Sequence, residues 1–412
     1  MNVLRPARLQ AAWTLAGLVL LTVNLRAAIT GVPPLISDLR DALGLSGVQV
    51  SVLTTLPVLC LGLFAALAPV AARRFGTETA ITGALLLITA GIVLRIVPAA
   101  PALFGGTVLA GAGIAMGNVL VPAVVKRAFP DRIGSLTGLS MMLMASSGAV
   151  AAGLAVPLDG AGGWRLALAF WAVPSFVAAL VWGPLALRGR RVPAPPEPPR
   201  ATGSLLRDPL AWHVTAFMGL ASLMFYVLMS WLPSVMRDAG TDAATAGLMV
   251  SVMMFIGIPL GYVVPVAAAR MRDQRPLIVG LGALMAVALG GLVVAPGAGW
   301  TWVVLLGVAT GSAFPLAVTL LSLRAPNPSI AARLSGMAQT FGYLGAGIGP
   351  FAVGLLRDVT GGWTVALTVL LLLVLPEVVF GLLAARPGLV RPAVSPRLVE
   401  PKDVPAARYA RR

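Results

Sequence analysis

Runs of about 20 apolar residues recur along this chain, each closed by charge or by a Pro/Gly cluster, and that recurrence limits the fold more than any other feature. A helix rises 1.5 Å per residue, so about 20 apolar residues cross the ~30 Å hydrocarbon core of a bilayer. Backbone polar groups inside hydrocarbon must pair within the protein, which makes runs of this length helices. Twelve such runs are counted, over residues 11–33, 46–71, 79–97, 101–125, 134–157, 164–187, 210–234, 244–269, 276–295, 299–323, 334–356 and 362–385. Composition agrees. Of 412 residues, 58% are hydrophobic and 11% charged, against about a quarter charged in soluble domains. A soluble multidomain enzyme is thereby excluded. The expected fold is an all-α membrane protein.

The first run is read as a retained span rather than a signal peptide, because it contains Arg26 and further spans follow it. Basic residues then orient the chain. With the N-terminus inside, inner segments carry 24 Lys and Arg and outer segments five, with Arg26 left inside a span. Such a bias matches the excess of positive charge on cytoplasmic loops. It predicts an even number of spans, both termini in the cytoplasm and an integral cytoplasmic-membrane protein. The formal net charge of +16 is therefore a topology signal and not a nucleic-acid interface. The single cysteine, Cys60, reads as a packing residue, and one His leaves no Cys/His metal set. No cofactor is expected.

A stretch too polar to span, RGRRVPAPPEPPRATGSLLRDP, covers residues 188–209. It is Pro-rich, basic and stiff, and it divides the chain into two six-span halves. The expected units are a bundle over 1–187, a cytoplasmic linker over 188–209, a second bundle over 210–385 and a basic tail over 386–412. The tail is expected to be disordered and to touch anionic lipid. The halves echo one another. Pro69-Val-Ala-Ala-Arg73 returns as Pro265-Val-Ala-Ala-Ala-Arg270. Gly113-Ile-Ala-Met-Gly117-Asn118 returns as Gly307-Val-Ala-Thr-Gly311-Ser312. Leu136-Thr-Gly138 returns as Leu334-Ser-Gly336, and Gly162-Gly-Trp164 as Gly361-Gly362-Trp363. Four echoes in order at one nearly constant offset indicate duplication.

Parallel six-span repeats around a cytoplasmic linker resemble the major facilitator superfamily, whose solute site lies between the halves near mid-membrane. Within it, the chain is similar to the cyanate/nitroimidazole transporter branch. The likeness is carried by Asn24-Leu25-Arg26, Val32-Pro33-Pro34-Leu35, Leu53-Thr54-Thr55-Leu56-Pro57-Val58, Ala71-Ala72-Arg73-Arg74-Phe75-Gly76, and Gly113 through Pro122. It covers the first six spans well and the rest more loosely. The resemblance implies a single-chain secondary transporter that uses no ATP, with small anions or azoles among the solutes of the branch. The superfamily's Gly-Asp-Arg loop after the second span is reduced here to Arg73-Arg74-Phe75-Gly76-Thr77-Glu78, which leaves Glu78 as the only acid at that place.

Arg26 is the sharpest candidate. It lies about 15 residues into the first run, roughly 20 Å deep. An Arg there must face a cavity or a partner, and its planar fork of donors suits a small planar anion or azole. Asn24 and Asn118 either contact solute or tie helices. Tyr226 with Ser230, and Gln339 with Tyr343, are i, i+4 pairs that share a helix face and would line a small polar pocket. Arg73, Arg74, Lys126, Arg127 and Arg270 are topology signals that also suit an inner gate, with Asp131 and Asp273 as acids at hand. Thr54 and Thr55 are expected to bond back to their own helix.

Acids are scarce inside the spans. Glu377 is the only one within a run, and it reads either as a proton-coupling group or as a lipid-facing or helix-pairing residue. His213, near the inner end of its span, is expected to be structural. The lack of a carboxylate in the first-half spans argues against cationic substrates. No HExxH, GxSxG or P-loop motif is present, so no enzyme is expected. The expected function is alternating-access transport of a small anionic or azole-like solute by a monomer, with a proton as the candidate coupling ion. The competing reading is a proton-coupled drug or metabolite exporter.

Overall fold

Proline and glycine punctuate the apolar runs, and the helices follow that punctuation. In the computed structural model, which describes residues 4–191 and 204–391, the secondary structure is helical. The helices are α1 (Leu4–Thr30), α2 (Ile36–Leu43), α3 (Gly47–Ala65), α4 (Leu67–Phe75), α5 (Thr77–Arg95), α6 (Ala100–Ala128), α7 (Ile133–Ala169) and α8 (Ala172–Arg191). After the linker come α9 (Pro209–Asp238), α10 (Ala243–Arg270), α11 (Arg275–Val294), α12 (Gly299–Arg324), α13 (Pro328–Thr360) and α14 (Thr364–Ala384).

Nine stretches among the described residues are long and apolar enough to cross a membrane, and α3 with α4 forms a tenth, bent by 48°. Pro69 lies in the first turn of α4, where a missing N–H and ring bulk break the helical ladder. One of the nine, residues 130–187, holds two helices, α7 and α8. With α13, 33 residues long, the crossing elements number twelve. The chain is thus an all-α membrane protein of twelve spans in two six-helix bundles. The short α2 has no counterpart in the run pattern, because eight residues with Asp38, Arg40 and Asp41 are neither long nor apolar.

Helices within each bundle approach through small residues. A Cβ on Gly91 would sit 2.5 Å from the Ala110 nitrogen, and one on Gly106 2.5 Å from the Gly91 oxygen, so α5 and α6 touch backbone to backbone. Such small-residue seams replace the hydrophobic driving force that lipid cannot supply. Indole hydrogen bonds staple α1 to α8: Trp182 donates to the Gly17 carbonyl at 2.8 Å, and Trp13 to the Val181 carbonyl at 3.0 Å.

The bundles meet chiefly where α3, α4 and α6 face α13 and where α7 faces α10. Echoed motifs face each other there. A Cβ on Gly336 would meet Pro69 at 2.8 Å, and a Cβ on Gly138 would meet the Tyr262 carbonyl oxygen at 2.7 Å. Gly134 lies against the Pro265 carbonyl, and Gly62 against Leu344. These contacts run from the linker-bearing face to about mid-depth. Lys126 at the end of α6 adds a hydrogen bond to the Ser322 carbonyl of α12 at 2.9 Å. The linker face is therefore the closed side of the molecule.

Much of the Pro-rich linker (192–203) and most of the tail (392–412) lie outside the described residues. The start of the tail departs from the expectation of disorder. Val390 is buried, its N–H donates to the Arg324 carbonyl, and the Arg391 N–H donates to Asp208. Asp208 also caps α9 by accepting from the Ala211 N–H at 3.1 Å.

Candidate functional site

Arg26 sits past the middle of α1, on the side that faces α7. A Cβ on Gly148 would lie 3.4 Å from the Arg26 Cβ, and Thr30 donates to the Gly148 carbonyl at 2.9 Å. The bare backbone of Gly148 gives the arginine stem room. Arg26 is half-buried, and among the described residues its guanidinium makes no hydrogen bond or ion pair. Its charge acts on both Tyr226 and Tyr343. Those tyrosines belong to α9 and α13 of the second bundle, so the group spans the interface between the halves.

The two tyrosines are placed by a glycine crossing. A Cβ on Gly342 would lie 3.3 Å from the Gly219 Cα. That approach brings Tyr343 and Tyr226 edge to face, with ring centroids 6.4 Å apart and planes at 68°. Phe314 of α12 stands 6.4 Å from Tyr343 on another side. Phe314 carries no sequence signal of its own, being an apolar residue in an apolar run; only the packing assigns it here. One turn below Tyr343, Gln339 is buried. Its amide donates to Ser335 Oγ at 2.8 Å, and its carbonyl oxygen Oε1 has no partner among the described residues. An unpaired buried acceptor is costly and is available to a donor on a bound solute. Asn118 is half-buried on α6, beside the Gly117 that packs against Leu25 of α1.

Asn24 does not join this group. Its amide donates to the Leu20 carbonyl at 2.8 Å and to the Pro174 carbonyl of α8 at 3.2 Å, which makes it a tie between α1 and α8. Positions two apart face different ways on a helix, so Asn24 and Arg26 part company. Ser230 and Thr54 bond back to the Tyr226 and Val50 carbonyls of their own helices.

The basic residues proposed for a gate separate into several roles. Lys126 bridges the bundles, as described. Arg127 pairs with Glu78, so the acid left in the reduced loop finds a basic partner. Arg73 lies near Arg333 of α13 across the seam. Arg74 lies over the Phe75 ring at 5.4 Å, and Arg270 is exposed. Asp273 pairs with its neighbour Arg275. Two arginines expected at span ends are instead buried. Arg95 is 1% exposed and donates to the Ala28 carbonyl of α1. Arg324 donates to the Ala384 carbonyl (2.8 Å), the Ala385 carbonyl (2.9 Å) and Gln274 Oε1 (2.7 Å), capping α14. Their position at the end of an apolar run reads as a span end facing water, and only packing reveals that the side chains turn back.

Two bundles that close at one face around a polar group at mid-depth define a secondary transporter of small solutes. Residues 18–350 match the family described as Major Facilitator Superfamily, and the chain belongs to that family. It is 37% identical to the 2-nitroimidazole transporter of Escherichia coli (strain K12) over 373 residues, which is 90% of this chain and 95% of that one. It is 30% identical to the cyanate transport protein CynX of the same organism, over 84% of this chain and 90% of that one. These relatives bear out the resemblance to the cyanate/nitroimidazole branch. Among solved structures, the proton:xylose symporter XylE bound to 6-bromo-6-deoxy-D-glucose superposes with a TM-score of 0.73 at 13% identity, over 90% of this chain and 94% of that one. At that identity the likeness concerns the fold.

Proposed function

We propose that the chain carries a small anionic or azole-like solute, held at mid-depth by Arg26 from the first bundle and by Tyr226, Gln339 and Tyr343 from the second. The observation that carries this reading is the unpaired guanidinium of Arg26 within electrostatic reach of both tyrosines. A planar anion or the lone pair of an azole nitrogen accepts from the guanidinium. The phenols close around it, and Gln339 Oε1 accepts an N–H. Asn118 lines the first-bundle side. Relatives that carry 2-nitroimidazole and cyanate by name support this solute class.

The moving units of the carrier are residues 1–187 and 210–385, rocking about the site. The charge bias of the loops supports a cytoplasmic linker and cytoplasmic termini; on that reading the closed face is the inner one and this conformation opens outward. Lys126 then bridges the bundles at the inner gate, and Arg127, Arg73, Arg74 and Arg270 lie on the same inner side. The chain works as a monomer, surrounded by lipid.

Uptake into proteoliposomes tests the reading, with cyanate and 2-nitroimidazole supplied separately, with and without a pH gradient. The wild type accumulates at least one of them, and Arg26→Ala abolishes accumulation while the folded protein is retained. Undiminished uptake by Arg26→Ala refutes the anchor. The exporter alternative draws on the buried acid Glu377; it calls for extrusion of larger apolar solutes by Arg26→Ala at the wild-type rate.

A further inference from the structure

Glu377 interrupts the most apolar part of α14 and points inward. It is 6% exposed, which rules out the lipid-facing alternative. Around it lie Phe217 of α9, Ile278 and Met285 of α11, and Ala309 and Ala313 of α12. The space they enclose is about 10 Å³, the size of a single water site. The lining contains no basic group, and Glu377 Oε2 has no hydrogen-bond partner among the described residues. Helix packing tightens around the carboxyl. Gly282 of α11 lies against Val378, and a Cβ on Gly381 would meet Ile278 at 2.7 Å and Phe217 at 3.1 Å.

An ionised carboxylate here would be a buried charge with no counter-ion, whereas the neutral acid is tolerated. We infer that Glu377 is a proton-binding site of the second bundle. It is protonated while α9, α11, α12 and α14 are packed as seen, and it releases the proton when their rearrangement lets water reach the carboxyl. The O–H bond forms by transfer from a hydronium ion and breaks by transfer back to water, with no redox change.

The other ionisable groups stand apart from the cavity. His213 of α9 lies one turn from Phe217 toward the linker face, its ring 6.2 Å from Phe380 of α14. Asp208 and Arg386 act on that imidazole. On α11, Arg275 is at the linker-face end, and on α12 Arg324 is at the linker-face end. On α13, Arg333 is near the linker face, and Arg357 and Asp358 are at the far end, as are Arg237 and Asp238 of α9. Glu377 is seven residues from the end of α14, or about 10 Å from the linker face. The short route out therefore passes Phe217, Phe380 and His213.

Infrared spectroscopy of the reconstituted full chain tests proton binding without reference to any solute. Wild type should show a carbonyl-stretch band of a protonated carboxyl that disappears reversibly as pH is raised, and Glu377→Gln should lack it. Glu377→Asp serves if the Gln variant folds poorly, and should show the band displaced. Absence of a titrating band in wild type, or its persistence in Glu377→Gln, overturns the assignment. A coupling role rests in addition on the carrier reading above. For one proton per solute, a pH gradient of one unit drives up to about tenfold accumulation. Glu377→Gln should lose that accumulation and keep solute counterflow, and a variant that still accumulates like wild type overturns coupling. Failure of both test solutes would refute the carrier reading and leave the infrared result standing on its own.

Discussion

Lys126 Nζ reaches 2.9 Å to the carbonyl oxygen of Ser322, and in doing so joins the end of α6 in the first bundle to α12 in the second. A bond across the interface contributes only to the conformation in which the linker face is closed. Its loss shifts the balance between the two faces and leaves each bundle intact. A net contribution of about 1 kcal/mol corresponds to a roughly fivefold change in that balance. Lys126→Met should therefore raise the population open at the linker face about fivefold. Spin labels at the exposed Arg132 and Arg270 should show a larger long-distance component in the variant.

Tyr343 presents its ring to Tyr226 and Phe314, and the reading above assigns its hydroxyl to the solute. Tyr343→Phe retains the packing and removes one hydrogen bond, worth about 1 kcal/mol. Solute affinity should fall roughly fivefold, with no loss of thermal stability in the ligand-free protein. A thermal-shift titration reads both quantities at once.

Gly342 faces Gly219 where α9 and α13 cross, and a Cβ there would stand 3.3 Å from the Gly219 Cα. The obstacle is backbone, which cannot rotate away. Gly342→Ala should destabilise the second bundle by about 1–3 kcal/mol through overpacking. It should also weaken solute binding, because the crossing sets the spacing of Tyr343 and Tyr226. Thermal unfolding in detergent and ligand titration check the two effects separately.

Arg324 holds three acceptors: the carbonyls of Ala384 and Ala385, and Gln274 Oε1. Arg324→Met leaves them without their donor in a buried site. The expected cost is about 3 kcal/mol, seen as a lower unfolding temperature. Since Val390 donates to the Arg324 backbone carbonyl, which the substitution keeps, protease protection of the tail up to Arg391 should fall less than global stability does.

Spans, their number and their pairing by duplication were legible in the chain because they depend on short-range patterns: apolar length, charge at run ends and repeated Gly/Pro motifs. Arg26 was legible for the same reason, as a charge where a run should have none. The directions of side chains were not. Arg95 and Arg324 stand at the ends of apolar runs like any span-end arginine, yet both turn back into the protein, toward Ala28 of α1 and the end of α14. Asn24 and Arg26 share a motif and separate around the helix. Glu377 left a lipid-facing reading open in the sequence, and it faces Phe217 and Ala313 instead.

The sequence alone determined that this chain lives in a bilayer as two related sets of six helices, because apolar length and the bias of positive charge act on each segment independently of its neighbours. Only the tertiary structure decided which residues meet at the interface. That depends on how closely helices approach at Gly219, Gly342, Gly138 and Gly336 and on the rotation each adopts there, and these are properties of pairs of helices that no single run encodes.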